Sequence, residues 1–91
     1  MYYVYMLKNQ NNQLYIGVTK DAEKRLRTHN TKQGALFTKT KQKFHIVFLE
    51  EHDTLAQARR REIQIKKWRR EKKENLIQRF ASGQPTKLEL I

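Results

Sequence analysis

The sequence has 91 residues, contains no cysteine, and carries 20 Lys and Arg against 9 Asp and Glu, for a net charge of +11. This length allows one domain with a modest core, and the lack of cysteine excludes disulfide frameworks and thiolate metal sites. The charge favours a polyanionic partner, most simply nucleic acid, although a basic protein of a larger assembly is not excluded. Because no apolar run could span a bilayer and no secretion signal is evident, we expect a cytoplasmic protein without a membrane partner.

The first two predicted elements form a β-hairpin. Residues 2–8 (YYVYMLK) and 14–18 (LYIGV) are rich in β-branched and aromatic residues and bracket the turn-forming sequence NQNNQ. The first run is apolar at nearly every position, which is typical of a strand buried on both faces. We therefore expect the first strand at the centre of its sheet.

The length of the hairpin loop decides which residues share a face, because a shift of one residue turns every side chain over. A three-residue loop with Asn12 in the left-handed conformation would oppose Tyr5 to Gly17 and Leu7 to Tyr15. Gly17 would then leave room for the backbone of a ligand to approach. This register puts three tyrosines side by side: Tyr3, Tyr5 and Tyr15.

A helix is predicted from Asp21, a suitable N-cap, to about Asn30. On a 3.6-residue period its inward stripe would hold Ala22, Arg25, Leu26 and His29. Polar residues on an inward stripe are candidates for function. The alternatives are that Arg25 extends its stem along the core edge and that His29 is an ordinary histidine at a helix end.

The second half of the chain begins with a predicted strand at residues 44–51, FHIVFLEE, in which Phe44, Ile46 and Phe48 would alternate with the other face. Thr54 and Gln57 then form a capping-box pattern that starts a helix to about Trp68. The inward stripe of this helix would hold Leu55, Ala58, Glu62 and Ile65. Glu62 is the one acid on it, and the simplest alternative role is a local ion pair with Lys66.

A shorter helix is predicted from Lys72 to Phe80, before the sequence SGQP. The element order is thus β-β-α-β-α-α, which predicts an α+β fold with a small three-stranded antiparallel sheet flanked by helices. We expect one domain over residues 1–80 and a loosely held C-terminal tail over residues 81–91.

These motifs together resemble the GIY-YIG nuclease domain, particularly its small stand-alone bacterial members of the UPF0213 kind, and are similar to the N-terminal nuclease domain of UvrC. Tyr3-Val4-Tyr5 stands where the first triplet, Gly-Ile-Tyr, would be, and Tyr15-Ile16-Gly17 is the second triplet. The segment DAEKRLRTHN is similar to the helix that follows, and ARRREIQIKKW to the later helix with the metal-binding glutamate. The resemblance runs from residue 2 to about residue 77.

The resemblance implies an endonuclease that hydrolyses DNA phosphodiester bonds with one divalent ion, Mg²⁺ or Mn²⁺. It implies these catalytic residues: Tyr5, Tyr15, Arg25, His29 and Glu62. Glu62 would hold the metal, Arg25 would grip the scissile phosphate, and a tyrosine would deprotonate the attacking water. Which tyrosine is the base stays open, with a preference for Tyr5. DNA repair or recombination is the expected setting, with single-stranded or branched DNA as substrate.

Basic residues around this site would follow a phosphate backbone. The candidates are Lys39, Lys41, Lys43, Arg59, Arg60, Lys66, Lys67, Arg69 and Arg70. Three further residues have open roles. Tyr3 replaces the first glycine of the first triplet. Family members often carry an asparagine near the C-terminus; Asn75 is the only late asparagine here, and Gln84-Pro85 stands where many relatives have Asn-Pro. Trp68 would either stack on a base or pack between the last two helices.

Two other function classes remain compatible with the sequence. One is a basic nucleic-acid-binding module of the same fold without turnover, although binding alone has no use for an acid among phosphate contacts. The other is a basic scaffold protein. The oligomeric state, monomer or weak homodimer, is not determined by the sequence.

Overall fold

Three strands and two helices are complete within residues 1–22, 24–25 and 44–87, the residues that the computed structural model describes. The strands are β1 (Tyr2–Lys8), β2 (Leu14–Thr19) and β3 (His45–His52), and the helices are α1 (Leu55–Lys66) and α2 (Arg70–Ala81). The strands pair antiparallel in the order β2-β1-β3. The predicted α+β class and its three-stranded antiparallel sheet are therefore confirmed. None of the described helices is long and apolar enough to cross a bilayer.

Strand β1 lies at the centre of the sheet, as its apolar sequence predicts. Its middle residues, Val4 to Leu7, are all buried, because a central strand is covered on both faces.

The hairpin register is also as predicted. Tyr5 pairs with Gly17 and Leu7 pairs with Tyr15. Asn12 has a φ of 62°, and its N–H donates to the carbonyl oxygen of Asn9 at 3.1 Å. The loop holds this shape because a left-handed asparagine closes a three-residue turn at little cost.

The helix predicted from Asp21 is described only at its start. Ala22, Lys24 and Arg25 are helical. The predicted N-cap is present, since the Asp21 carboxylate accepts a hydrogen bond from the Lys24 N–H at 3.1 Å and the Asp21 carbonyl accepts one from the Arg25 N–H at 3.1 Å. The rest of this helix lies outside the described residues.

A β-bulge in β3 changes which side chains face the helices. Met6 pairs with Phe48 but Leu7 pairs with Ile46, so Val47 is an extra residue. Phe44 and Ile46 consequently lie with Tyr5 and Leu7 on one face, whereas Phe48 lies on the other with Met6. The prediction that Phe44, Ile46 and Phe48 share one face is therefore wrong, because strict alternation ends at the bulge.

The main core lies between one face of the sheet and both helices. It contains Val4, Met6, Phe48, Ala58, Ile65, Leu76 and Ile77. Complete burial of a large apolar side chain contributes about 1.5–3 kcal/mol to stability, so this cluster fixes both helices on the sheet. A smaller cluster of Tyr5, Leu7 and Phe44 lies on the opposite face.

The helix ends follow from their local sequences. The Thr54 hydroxyl accepts a hydrogen bond from the Gln57 N–H at 3.2 Å, as predicted. The Gln57 side chain bonds the N–H of Asp53 instead of that of Thr54, at 3.1 Å. Helix α1 ends at Lys66, before the predicted Trp68. Helix α2 ends in a Schellman motif around Gly83, whose φ is 74°.

The chain returns to the sheet after α2. The Thr86 hydroxyl donates to a carboxylate oxygen of Glu50 at 2.7 Å, and the Thr86 carbonyl accepts a hydrogen bond from Arg61 at 3.1 Å. Lys87 donates to the carbonyl oxygen of Glu51. This part of the expected tail is therefore tied to the domain, while residues 88–91 lie outside the described residues.

Candidate active site

The phenol of Tyr5 lies across Gly17 on the neighbouring strand. A Cβ atom at Gly17 would stand 2.5 Å from the Tyr5 hydroxyl and 2.7 Å from its Cζ. Glycine is thus required at this position so that Tyr5 can reach over β2. The prediction that Gly17 leaves room for a ligand is wrong in this structure, because the phenol already fills that space.

The rings of Tyr5 and Tyr15, on neighbouring strands of the hairpin, are stacked. Their ring centroids are 6.3 Å apart with an interplanar angle of 24°. Tyr5 is buried, but Tyr15 is 39% exposed. The pair therefore presents one phenol to the interior and one to solvent.

Arg25 joins this pair from the start of the helix at Asp21. Its Nε donates to the Tyr5 hydroxyl at 3.3 Å, although its side chain is largely exposed. The hydrogen bond and charge of Tyr5, followed by the contribution of Tyr15, raise the pKa of Arg25 above its ordinary value. Arg25 is therefore a permanent cation next to two phenols.

The pKa of Tyr5 lies above that of a free phenol. Burial is the largest cause, the hydrogen bond and charge of Arg25 oppose it, and the charges of Tyr15 and Glu62 add to it. Tyr5 consequently keeps its proton at neutral pH. Glu62 is the last of these causes, and it acts on Tyr5 through its charge and not through a hydrogen bond.

Glu62 is buried on α1, as the helical stripe predicts, with 8% of its side chain exposed. Its Oε1 lies 3.3 Å from Nη1 of Arg59 and its Oε2 lies 3.0 Å from Nζ of Lys66. The ion pair with Lys66, predicted as the simplest alternative role of Glu62, is also present. Glu62 is thus both buried and locally paired. Leu55, expected on the same stripe, is exposed at the first turn of the helix.

The donor set at Glu62 suits a hard cation that keeps its water. No group of three or more His, Cys, Asp or Glu residues that could hold a metal is present within residues 1–22, 24–25 and 44–87. A single carboxylate fits Mg²⁺ or Mn²⁺, which take oxygen ligands and retain water, and does not fit a structural zinc site. Each carboxylate oxygen of Glu62 is paired with a cation, Arg59 or Lys66, so an ion bound there would have to replace at least one of them.

The three residues with open roles have other contacts. Lys72 Nζ lies 4.3 Å and Arg61 Cζ 5.3 Å from the ring centroid of Trp68, which also packs against the main core. Of its two predicted roles, packing is therefore the one with contacts in the structure. Asn75 lines a groove next to Trp68, and Tyr3 donates to Glu51 at 3.3 Å.

The predicted phosphate-binding residues divide into three groups. Arg59 and Lys66 are paired with Glu62, and Arg70 is paired with Glu74 at 2.7 Å. Arg60, Lys67 and Arg69 are exposed. The remaining predicted site residues lie outside the described residues: His29, Lys39, Lys41 and Lys43.

One buried polar cluster was not predicted. Arg61 binds both carboxylate oxygens of Glu50, at 2.9 and 3.3 Å, and His52 Nε2 lies 2.8 Å from the same carboxylate. Burial alone would raise the pKa of Glu50. Hydrogen bonds from Thr86, Arg61 and His52, together with the charge of Arg61, outweigh burial and hold it below its ordinary value. In the sequence, Arg61 is one of several adjacent arginines, and no local pattern marks it as buried.

Comparison with known proteins places the chain among proteins of similar size. The sequence model of the GIY-YIG catalytic domain matches residues 1–75. A UPF0213 protein of Staphylococcus saprophyticus is 42% identical over 76 residues, which cover 84% of this chain and 93% of the relative. A UPF0213 protein of Staphylococcus aureus is 40% identical over the same shares. The solution NMR structure of a UPF0213 protein from Bacillus halodurans is 32% identical, with a TM-score of 0.55, and the match covers 86% of this chain and 84% of that one.

Proposed function

The chain belongs to the GIY-YIG catalytic domain family, and from this premise we propose that it is a metal-dependent endonuclease that hydrolyses DNA phosphodiester bonds. The observation that carries the proposal is the cluster of Tyr5, Tyr15 and Arg25, which is joined by the Arg25–Tyr5 hydrogen bond and the stacked rings. Glu62 adds a buried carboxylate on α1. A cation can stabilise charge on the phosphate, a phenol can transfer a proton, and a carboxylate can hold a metal ion, and each of these steps promotes phosphodiester hydrolysis.

Arg25 and Tyr5 bind the scissile phosphate in this proposal. The guanidinium offers parallel N–H donors to two phosphate oxygens, which a lysine cannot do. Tyr5 keeps its proton because its pKa is raised, so its hydroxyl can donate a hydrogen bond to the same phosphate. Both donors are already held together by the bond from Arg25 Nε to the Tyr5 hydroxyl.

Tyr15 is the better candidate for receiving the proton of the attacking water. The sequence favoured Tyr5, but the raised pKa of Tyr5 speaks against it as a base. Tyr15 is the phenol that is open to solvent. Tyr15→Phe should therefore lower kcat more than Tyr5→Phe, whereas Tyr5→Phe should mainly raise KM, as measured on the same DNA substrate.

Glu62 would hold one Mg²⁺ or Mn²⁺ ion together with water. Such an ion would lower the pKa of bound water and neutralise charge on the phosphate. Glu62 supplies a buried carboxylate oxygen as a ligand for this ion. Arg59 and Lys66, which now pair with Glu62, would then pair with phosphates of the bound DNA.

The substrate class follows from the kind of contacts available. Cations contact phosphates, which position the protein without reading the sequence. We therefore propose preference for DNA structure, single-stranded or branched, as found in repair and recombination. If about four phosphates are contacted, the logarithm of the binding constant should fall with the logarithm of salt concentration with a slope of roughly −3 to −4.

The test is cleavage of supercoiled, single-stranded and branched DNA with Mg²⁺, Mn²⁺ or EDTA. Arg25→Ala should lower cleavage at least about 100-fold, since a single lost donor to transition-state charge costs this much. Arg79→Ala, which removes an arginine at the far end of α2, is the matched control and should cleave like the parent. DNA binding without cleavage under every metal condition would favour the non-catalytic module instead.

The position of Tyr5 gives a second test. Gly17→Ala would place a methyl group 2.5 Å from the Tyr5 hydroxyl and so displace the phenol. We expect cleavage to fall at least tenfold while the folded state persists, as measured by circular dichroism. Gly83→Ala is the matched control: it strains a left-handed glycine by about 1 kcal/mol but has no atom near the tyrosines. Equal activity of the two variants would contradict the role of Tyr5.

A further inference from the structure

A cavity of about 600 Å³ lies between α1 and the segment that returns to the sheet after α2. Its lining consists of His52, Asp53, Gln57, Arg60, Arg61, Gln64 and Lys87. Neither tyrosine of the candidate active site, nor Arg25, nor Glu62 lines this cavity. Its volume is in the range of ordinary small-molecule sites.

The floor of the cavity is a rigid ionic network. Arg61 binds Glu50 through Nε and Nη2, and each of these two side chains is only 2% exposed. Arg61 also donates to the Thr86 carbonyl at 3.1 Å and to Gln64 Oε1 at 2.7 Å. These bonds hold the side chains of Arg61 and Gln64 in position.

Two glutamines that line the cavity have N–H donors to offer. The Gln64 oxygen is used by Arg61, and the Gln57 oxygen is used by the Asp53 N–H at 3.1 Å. The side-chain NH₂ groups of Gln57 and Gln64 have no partner among the described residues. Because each oxygen already accepts one hydrogen bond, the unused groups of both amides are mainly their N–H donors, which are available to a ligand.

The charge of the cavity is positive. Arg61 and Glu50 neutralise each other, which leaves Arg60 and Lys87 as cations against one lining acid, Asp53. Arg60 has no ion pair within the described part of the chain. Lys87 uses one donor on the carbonyl oxygen of Glu51 and keeps two others.

His52 supplies a buried nitrogen without a partner. Its side chain is 8% exposed, and Nε2 is bonded to Glu50 at 2.8 Å. Nδ1 has no hydrogen-bond partner among residues 1–22, 24–25 and 44–87, which is unusual for a buried polar atom. Since the ionised Glu50 accepts the Nε2 hydrogen, Nδ1 of the neutral ring is an acceptor, and Nδ1 of the charged ring is a donor.

We propose that this cavity binds a phosphate monoester. Amide, guanidinium and ammonium donors suit the phosphate oxygens. A monoester, unlike a backbone diester, can carry a hydrogen near neutral pH, because its second pKa is about 6. His52 Nδ1 can therefore pair with it in either protonation state. The ligand is a terminal phosphate of nucleic acid or a small phosphorylated molecule, and its binding does not depend on the proposed cleavage.

The experiment is a titration of the full chain in EDTA, followed by NMR of the side-chain amides and the histidine ring. The probes are inorganic phosphate, a nucleoside 5′-monophosphate, and one short single-stranded DNA with either a 5′-phosphate or a 5′-hydroxyl. We expect saturable shifts at Gln57, Gln64 and His52 with the monoesters. The 5′-hydroxyl DNA should not produce these shifts.

Two variants test the lining. Arg60→Gln removes a cation from the cavity, and Gln64→Glu adds an acid while keeping an oxygen for Arg61. Each should weaken monoester binding at least about tenfold. The matched control is Lys73→Gln, which removes one positive charge from α2 outside the cavity and should change binding less than about twofold.

The outcomes separate the sources of phosphate. Binding of inorganic phosphate and the nucleotide assigns a small phosphorylated ligand, and tighter binding of the 5′-phosphorylated DNA assigns a nucleic-acid end. Shifts that are absent with all the monoesters would overturn the proposal. Equal weakening by Lys73→Gln and Arg60→Gln would also overturn it, because it would show attraction by net charge alone. Since no cleavage is measured, failure here leaves the proposed nuclease activity unaffected.

Discussion

The two buried glutamates Glu50 and Glu62 are held in opposite ways. Glu50 is bonded by His52 of its own strand, by Arg61 of α1 and by Thr86 near the end of the chain. Within the described part of the chain, the ion pairs of Glu62 are with two residues of its own helix, whose side chains are 59% and 52% exposed.

This difference separates a structural carboxylate from one that is available for chemistry. A buried charge whose partners are buried and come from several segments joins those segments and cannot exchange its partners cheaply. A buried carboxylate whose cationic partners end in water can exchange them for a metal ion, which leaves those cations for water or a phosphate. Burial by itself therefore does not identify a functional acid, and the exposure of its partners is the more informative property.

The largest expected effect is on stability at Glu50. Glu50→Gln should lower the free energy of unfolding by about 3–5 kcal/mol, because Arg61 stays buried without its counter-charge. Urea denaturation followed by the fluorescence of Trp68 measures this change. If that variant does not fold, Thr86→Val, which removes one hydrogen bond to Glu50, should cost about 1–3 kcal/mol.

The same Glu-to-Gln change at Glu62 of α1 is the control for this prediction. Glu62→Gln should change the free energy of unfolding by less than about 1 kcal/mol, since its partners are exposed and simply regain water. It should nevertheless abolish metal-dependent cleavage. Equal destabilisation by the two glutamine variants would break the distinction between the two carboxylates.

Acid pH should reveal the same distinction. The pKa of Glu50 is lower in the folded protein than in the unfolded chain. Ionised Glu50 therefore contributes stability that is fully present above the unfolded pKa, about 4.5, and is lost as pH falls through the lower folded pKa. Urea midpoints measured between pH 6 and about pH 3 should fall steeply for the parent and less steeply for Glu50→Gln.

Glu74 is the control for this pH dependence, because its pKa is also lowered, first by the hydrogen bond of Lys8. Its side chain is 35% exposed, against 2% for Glu50, so water screens its ion pairs and they contribute less. Glu74→Gln should keep most of the parent's loss of stability in acid. If Glu74→Gln flattens the curve as much as Glu50→Gln does, the buried network is not its source.

The smallest expected effect concerns the cations on Glu62. Lys66→Met keeps most of the aliphatic stem but removes the charge 3.0 Å from Oε2. Binding of Mn²⁺ to the DNA-free protein should tighten about two- to threefold, with a stability change below about 0.5 kcal/mol. Electron paramagnetic resonance of Mn²⁺ measures the affinity. Lys73→Met removes the same charge away from Glu62, and an equal gain in that variant would contradict direct competition.

Several features could be predicted because they depend on neighbouring residues. The central place of β1 follows from its continuous apolar sequence, and the hairpin register follows from the loop around Asn12. The caps at Asp21 and Thr54 depend on hydrogen bonds that span a few residues. Helical period also placed Glu62 on a buried face of α1.

Other features depended on contacts between distant segments. The bulge at Val47 turned Phe48 away from Ile46, and no pattern in β3 marks the extra residue. Gly17 was predicted to admit a ligand, but the ring of Tyr5 from another strand fills its space. These differences arise because side chains from separate elements compete for the same volume.

The sequence by itself determined the order of the elements, the hairpin register and the residues that could serve as a nuclease site, because periodicity, turn chemistry and motif spacing are local properties. Only the tertiary structure decided which charges are fixed and which are available. Adjacent residues of one arginine-rich helix, Arg61 and Glu62, receive different partners: one is bound by Glu50 across 11 positions and by Thr86 across 25, and the other is bound within its own helix. The partners of a charge are set by the packing of whole elements, which a linear pattern does not contain.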